Sequence, residues 1–247
     1  MYTELALGLY PSQPVFSEAI LRPVELVLSQ EMGPFWRNAS VVRGEADDAP
    51  RSVLPSLPEA VAVKAVVRGG LGSVRIVGTD DESAEVTLVS SRQALPFESN
   101  RISIEFIEGT SEIAVVAANK ILRALAAGIP LHYACAYIRE ERVHKNIVRD
   151  KEGIRAVGVN YEVSLPGLYW LNFFGPNYVA LMGAEKLASA PGQVEKIGNG
   201  YLVQRGAEPS QWKDLRELEA GLLGHLGEQY FFSKDDPERK TVAPDFA

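Results

Sequence analysis

The sequence predicts an α+β fold: a mostly antiparallel sheet with helices packed on one face, in a single compact domain. Three observations lead there. Alternating, β-branched stretches follow one another at 74–77, 84–90 and 101–108, the pattern of an antiparallel meander. Apolar residues recur at three and four in 16–32 and 111–127, the period of a helix face. Strands and helices come in groups and do not strictly alternate, which favours α+β over a doubly wound parallel sheet. With 247 residues, the chain has room for one large domain or two small ones at about 150 residues each.

In order, residues 2–9 alternate loosely and predict a first strand, with a turn between Pro11 and Pro14. Ile20, Leu21, Val24, Val27 and Leu28 then mark a helix that Ser17 is placed to cap and Gly33-Pro34 to end. Pro23 should sit near its start or kink it. Residues 38–58, with Pro50, Pro55 and Pro58, read as a long surface connection, and 57–68 as a short helix before the Gly69–Gly72 turn. After the meander, Ser111 caps a helix with Ile113, Val116, Ile121, Leu122 and Leu125 inward, stopped at Gly128 and Pro130.

Residues 131–138 predict a strand, and the charged stretch 139–150 is expected to face solvent. A strand over 168–174 leads into a helix at 176–182 that starts on Pro176, where a missing N–H costs nothing. A hairpin pairs 194–197 with 201–204. Asp214 is the expected cap of a last helix, 215–226, with Leu218, Leu222, Leu223 and Leu226 as its stripe. Tyr230-Phe231-Phe232 should anchor the end, leaving 233–247 as the loosest segment.

Composition narrows the function classes. The net charge is −7, and no window gathers enough Lys and Arg to follow a phosphate backbone, so direct nucleic-acid binding is not expected. Cys135 is the single cysteine, so no intrachain disulfide forms. No apolar run approaches the roughly 18–20 residues of a membrane span, and Pro11 and Pro14 interrupt the start before a signal core could form. The expected compartment is the cytoplasm.

Few residues offer chemistry. His132 and Cys135 stand three apart, but a strand turns them to opposite faces, and no second ligand pair exists. The Gly69-Gly70-Leu71-Gly72 cluster lacks the Lys-Ser/Thr of a phosphate loop and reads as a turn. Carboxylate pairs at Asp80-Asp81, Glu140-Glu141 and Asp235-Asp236 fall in polar segments and read as solvated. No catalytic residue, metal ligand or cofactor is assigned.

One stretch carries a family resemblance. Pro166-Gly167-Leu168-Tyr169-Trp170-Leu171-Asn172-Phe173-Phe174-Gly175-Pro176, with Gly198-Asn199-Gly200-Tyr201-Leu202-Val203-Gln204, Trp212-Lys213-Asp214, His225-Leu226-Gly227 and Val242-Ala243-Pro244-Asp245-Phe246, resembles the immunity protein 52 family of polymorphic toxin and type VI secretion systems. The resemblance implies a non-enzymatic antidote that binds a cognate toxin, typically a nuclease of restriction-endonuclease-like fold. An acidic surface suits such a partner, because complementary charge speeds encounter. The motif residues read as core and turn. Charge alone therefore nominates the partner-contacting residues: the acidic turn Asp80, Asp81 and Glu82, and the pair Glu140 and Glu141. A small-molecule enzyme built on His132, Cys135 and scattered acids, or a structural adaptor of the secretion machine, are the alternatives.

Overall fold

The computed structural model describes residues 4–37, 39–42, 52–53, 56–64, 66–68, 71–78, 84–91, 100–107, 111–151 and 153–246. Strand β1 (Leu5–Pro11) is followed by helices α1 (Glu18–Glu31) and α2 (Gly33–Arg37), strands β2 (Ala39–Val42) and β3 (Ser52–Val53), and helix α3 (Leu57–Lys64). The meander comprises β4 (Val66–Arg68), β5 (Leu71–Gly78), β6 (Ala84–Ser91) and β7 (Arg101–Phe106), and leads to α4 (Glu112–Gly128) and β8 (Leu131–Ile138). Next come α5 (Arg139–Asn146), a small hairpin of β9 (Ile147–Asp150) and β10 (Gly153–Ala156), β11 (Leu171–Phe174), α6 (Pro176–Met182) and α7 (Ala184–Ala188). The hairpin of β12 (Gln193–Ile197) and β13 (Gly200–Gln204) precedes a 3-10 turn, Pro209–Lys213, and α8 (Arg216–Leu226).

Eleven of these strands join one sheet in the order β12-β13-β11-β8-β1-β7-β6-β5-β2-β3, with β4 also paired to β5. Its ladders are antiparallel, as the alternation predicts. Strand β1 joins the two halves of the chain: Leu7 lies opposite Ile104 of β7 on one side and Ala136 of β8 on the other. One continuous sheet therefore runs through both halves.

Side chains alternate across the sheet, so β1 and β8 are read by two cores. Leu5, Leu7 and Leu9 pack into a large aliphatic cluster with α1, α3 and α4. Ala6 and Tyr10 face a second, aromatic cluster with Tyr133, Cys135 and Tyr137 of β8 and the buried residues of α6, α7 and α8. The N-terminal helices thus share one face, and the C-terminal helices cover the other at the β11–β13 end.

Several local expectations shift. The stretch 38–58 contributes β2 and β3 to the sheet, and the 57–68 helix stops at Lys64 so that Val66–Arg68 can pair with β5. Ser111 caps α4 as expected, accepting from the Ala114 N–H at 3.3 Å. The buried stripe is rotated, however: Ala114, Val115, Ala117 and Ala118 point inward with Ile121, Leu122 and Leu125, while Ile113 is 83% exposed and Val116 46%. The buried alanines lie on the side of α4 that packs against α1, β1 and β8. Ser17 occupies the cap position of α1 without a side-chain cap bond, and Leu215, not Asp214, is the N-cap of α8.

Geometry requires the glycine at Gly175 and at Gly198. A Cβ on Gly175 would stand 1.9 Å from the Leu131 carbonyl oxygen, because the chain leaving β11 runs against β8 there. Gly198 has φ +56 at the first of two loop residues joining β12 to β13, as a two-residue hairpin with glycine in first place needs.

Candidate functional site

The acidic turn Asp80, Asp81 and Glu82 lies outside the described residues. Glu140 and Glu141 both stand in the first turn of α5, but consecutive helical residues diverge by about 100°. Glu140 is exposed and pairs with Lys213 at 2.6 Å, a surface bridge worth about 0–1 kcal/mol. Glu141 points the other way and is fully buried. The expectation that 139–150 faces solvent therefore fails at Glu141, because α5 packs its inner side against the segment 166–169 and the end of β13.

A buried carboxylate is tolerated only with charged partners, and Glu141 has two. Its Oε1 accepts from Lys145 Nζ at 2.8 Å and from the Arg205 guanidinium. Lys145 also pairs with Glu219 at 2.6 Å and donates to the Leu168 carbonyl, while Arg205 pairs with Glu219 and donates through Nε to the Tyr169 carbonyl at 2.8 Å. Two acids and two bases close a neutral ring that ties α5, the end of β13 and α8 together. Glu141 Oε2 has no hydrogen-bond partner among the described residues.

Side-chain amides hold the irregular segment that crosses beside this ring. Asn146 donates to the carbonyls of Val157 at 3.0 Å and Pro166 at 2.9 Å and accepts from the Tyr169 hydroxyl at 2.5 Å. Asn172 accepts from the Tyr169 N–H and the Tyr133 hydroxyl, each at 3.0 Å, and donates to the Tyr169 carbonyl at 2.8 Å. Buried backbone without a ladder needs such partners. This explains why residues 164–170 can be both irregular and deeply buried.

Above the ring opens a groove of about 570 Å³. Its lining includes Lys145 and Glu219 of the ring, Arg216 and Leu223 of α8, and Phe232 and Lys234 of the segment that follows. His144 stands at the mouth with its ring 5.2 Å from that of Trp212. Residues 233–246, the expected loose end, run past it with defined contacts. Lys234 donates to the carbonyls of His144 at 3.0 Å and Ile147 at 2.6 Å, and the Val242 N–H donates to the Gln229 carbonyl at 2.8 Å. The Asp245 carbonyl accepts from Asn177 at 2.7 Å, and the Phe246 ring packs edge-on to His132 at 4.9 Å.

His132 and Cys135 are engaged separately. His132 Nδ1 lies 3.0 Å from Asn177 Oδ1, and burial lowers its pKa. Cys135 is fully buried beneath the tyrosines of the second core, and burial pushes its thiol up to about 12. Tyr10, Tyr133, Tyr161 and Tyr169 around it are likewise raised by burial. No group of three or more His, Cys, Asp or Glu among the described residues is arranged to hold a metal ion, and no described helix is long and apolar enough to cross a membrane.

Charge alone could not nominate Arg205, Lys145 or Glu219, because their meeting with Glu141 depends on tertiary structure. Arg205 lies 64 positions from Glu141. The one local signal was the i, i+4 spacing of Glu141 and Lys145 on a helix.

No protein-family model matches the chain, and no curated protein matches it. The immunity protein 52 resemblance therefore has no family match behind it. Among solved structures, the fold is similar to that of "Pseudomonas aeruginosa T6SS protein PA0821", with a TM-score of 0.53 and 11% identity, over 89% of this chain and 73% of that one. At that identity the likeness is one of fold.

Proposed function

We propose that this chain is an immunity protein that binds and neutralises a cognate type VI secretion toxin, a nuclease effector of restriction-endonuclease-like fold, in the cytoplasm of the producing cell. The observation that carries the reading is the fold likeness, over most of the chain, to a protein described as a type VI secretion protein. The motif that resembles immunity protein 52 supports it in a second way. Trp170, Leu171, Phe173 and Phe174 are buried in the two cores, where a family would keep a packing signature while its contact surface diverged. A net charge of −7 suits a partner built to hold phosphate.

On this reading the protein acts by occupying the toxin's working surface or preventing its active assembly, without chemistry of its own. The test is coexpression with the effector encoded beside it. Growth should be restored and the two proteins should copurify as a complex. Association with sheath or spike proteins and no effector would favour the adaptor alternative and overturn this one.

A further inference from the structure

We infer that the groove between α8 and the segment 231–235 seats an acidic loop of the protein partner, a carboxylate flanked by apolar side chains. The inference rests on the immunity reading and adds to it the surface used and the chemistry it takes. Several polar groups in the groove are already satisfied. Lys145 has three donors and three acceptors, namely Glu141, Glu219 and the Leu168 carbonyl. Both oxygens of Glu219 are taken, by Lys145 and Arg205. Glu228 is paired with Arg239 at 3.2 Å.

What is left over is mostly donor. Arg216 is exposed and has no ion-pair or hydrogen-bond partner among the described residues. Lys234 uses two of its three N–H groups on backbone carbonyls, and among the described residues the His144 ring is engaged by Trp212 alone. Against these stands one carboxylate of the lining that has no partner among the described residues, Asp235. Leu223, Phe231 and Phe232 supply apolar wall between the donors. On a chain whose net charge is −7, this concavity keeps spare cationic donors. It complements an acceptor-rich, partly apolar segment, and a guanidinium such as Arg216 binds a carboxylate with two parallel hydrogen bonds.

The neutral ring stiffens this site. Lys145 and Glu219 are held by Glu141 and Arg205, so this part of the lining is set before a partner arrives, which lowers the cost of binding.

The experiment measures the affinity of the full chain for its coexpressed effector in four forms: wild type, Arg216→Glu, Arg216→Lys and Arg22→Glu. Arg22 is exposed on α1, which packs on the opposite face of the sheet, and its reversal changes net charge equally. Arg216→Glu should weaken binding by at least about tenfold, Arg216→Lys should lie between it and wild type, and Arg22→Glu should remain within about threefold. Equal weakening by Arg216→Glu and Arg22→Glu would reduce the effect to net charge and overturn the groove. Unchanged binding by Arg216→Glu would overturn it while leaving the immunity reading intact. A wild-type chain that binds no effector would remove the reading itself and the groove assignment with it. Unaltered thermal unfolding of Arg216→Glu separates a contact effect from a folding one.

Discussion

Arg205 and Glu141 meet in a salt bridge whose side chains are 1% and 0% exposed, across 64 positions of sequence. The pair joins the end of β13 to the first turn of α5, and Glu219 extends it to α8. Three elements that share no ladder are therefore fixed by charge.

Removing one member should be far worse than removing both. Arg205→Ala leaves the buried Glu141 with Lys145 as its one remaining charged partner among the described residues and should lower unfolding stability by about 3–5 kcal/mol. The double variant Glu141→Leu with Arg205→Met should recover much of that loss, since apolar replacements of similar volume are often neutral. Urea titration of the three proteins decides it. A single variant no less stable than the double would contradict the buried ring.

The rotated face of α4 gives a second contrast. Ile113, 83% exposed, should tolerate serine within about 0.5 kcal/mol. Ile121, fully buried in the aliphatic core, should lose about 2–5 kcal/mol on truncation to alanine. Equal losses at the two positions would restore the face that simple periodicity predicts.

Cys135 should be unreactive while the chain is folded. Burial both shields its sulfur and raises its pKa to about 12, and the thiolate is the nucleophile. Alkylation at mildly alkaline pH should proceed only through opening of the structure, and so slow down as stability rises. Fast labelling of the native chain would show that the tyrosine layer over the sulfur opens readily.

His132 should make stability depend on pH below about 6.5. Its folded pKa lies below the ordinary 6.5 because burial disfavours the cation, with the Asn177 bond only partly opposing this. Between the folded and unfolded values the unfolded chain binds more protons, so stability rises with pH across that window. It is lost as pH falls below about 6.5. Thermal unfolding across the window should show this slope in wild type and a shallower one in His132→Gln. The same slope in both would assign it elsewhere.

What the sequence revealed follows from how local each cause is. The meander, α4 with its Ser111 cap, the Pro176 start of α6 and the hairpin at Gly198-Asn199 are set by side-chain period and turn chemistry within a few residues, and all were legible. The inward side of α4 was not, because alanine gains its burial from the close approach of α1, which no window of sequence contains. The same holds for β2, whose short run pairs with the edge of β5, and for β3, which pairs in turn with β2. At the candidate site, α5 displays Glu140 and hides Glu141, a distinction that depends on which side of the helix meets Arg205. The groove residues Arg216, Lys234 and His144 come from three separate segments and share no motif.

The central claim is that this chain neutralises a toxin by binding it. The most direct measurement is the growth of cells that express the neighbouring effector, with and without this protein, followed by purification of the pair. Restored growth together with a stable complex is the predicted result. Growth arrest that this protein leaves unchanged, with no complex recovered, would contradict it.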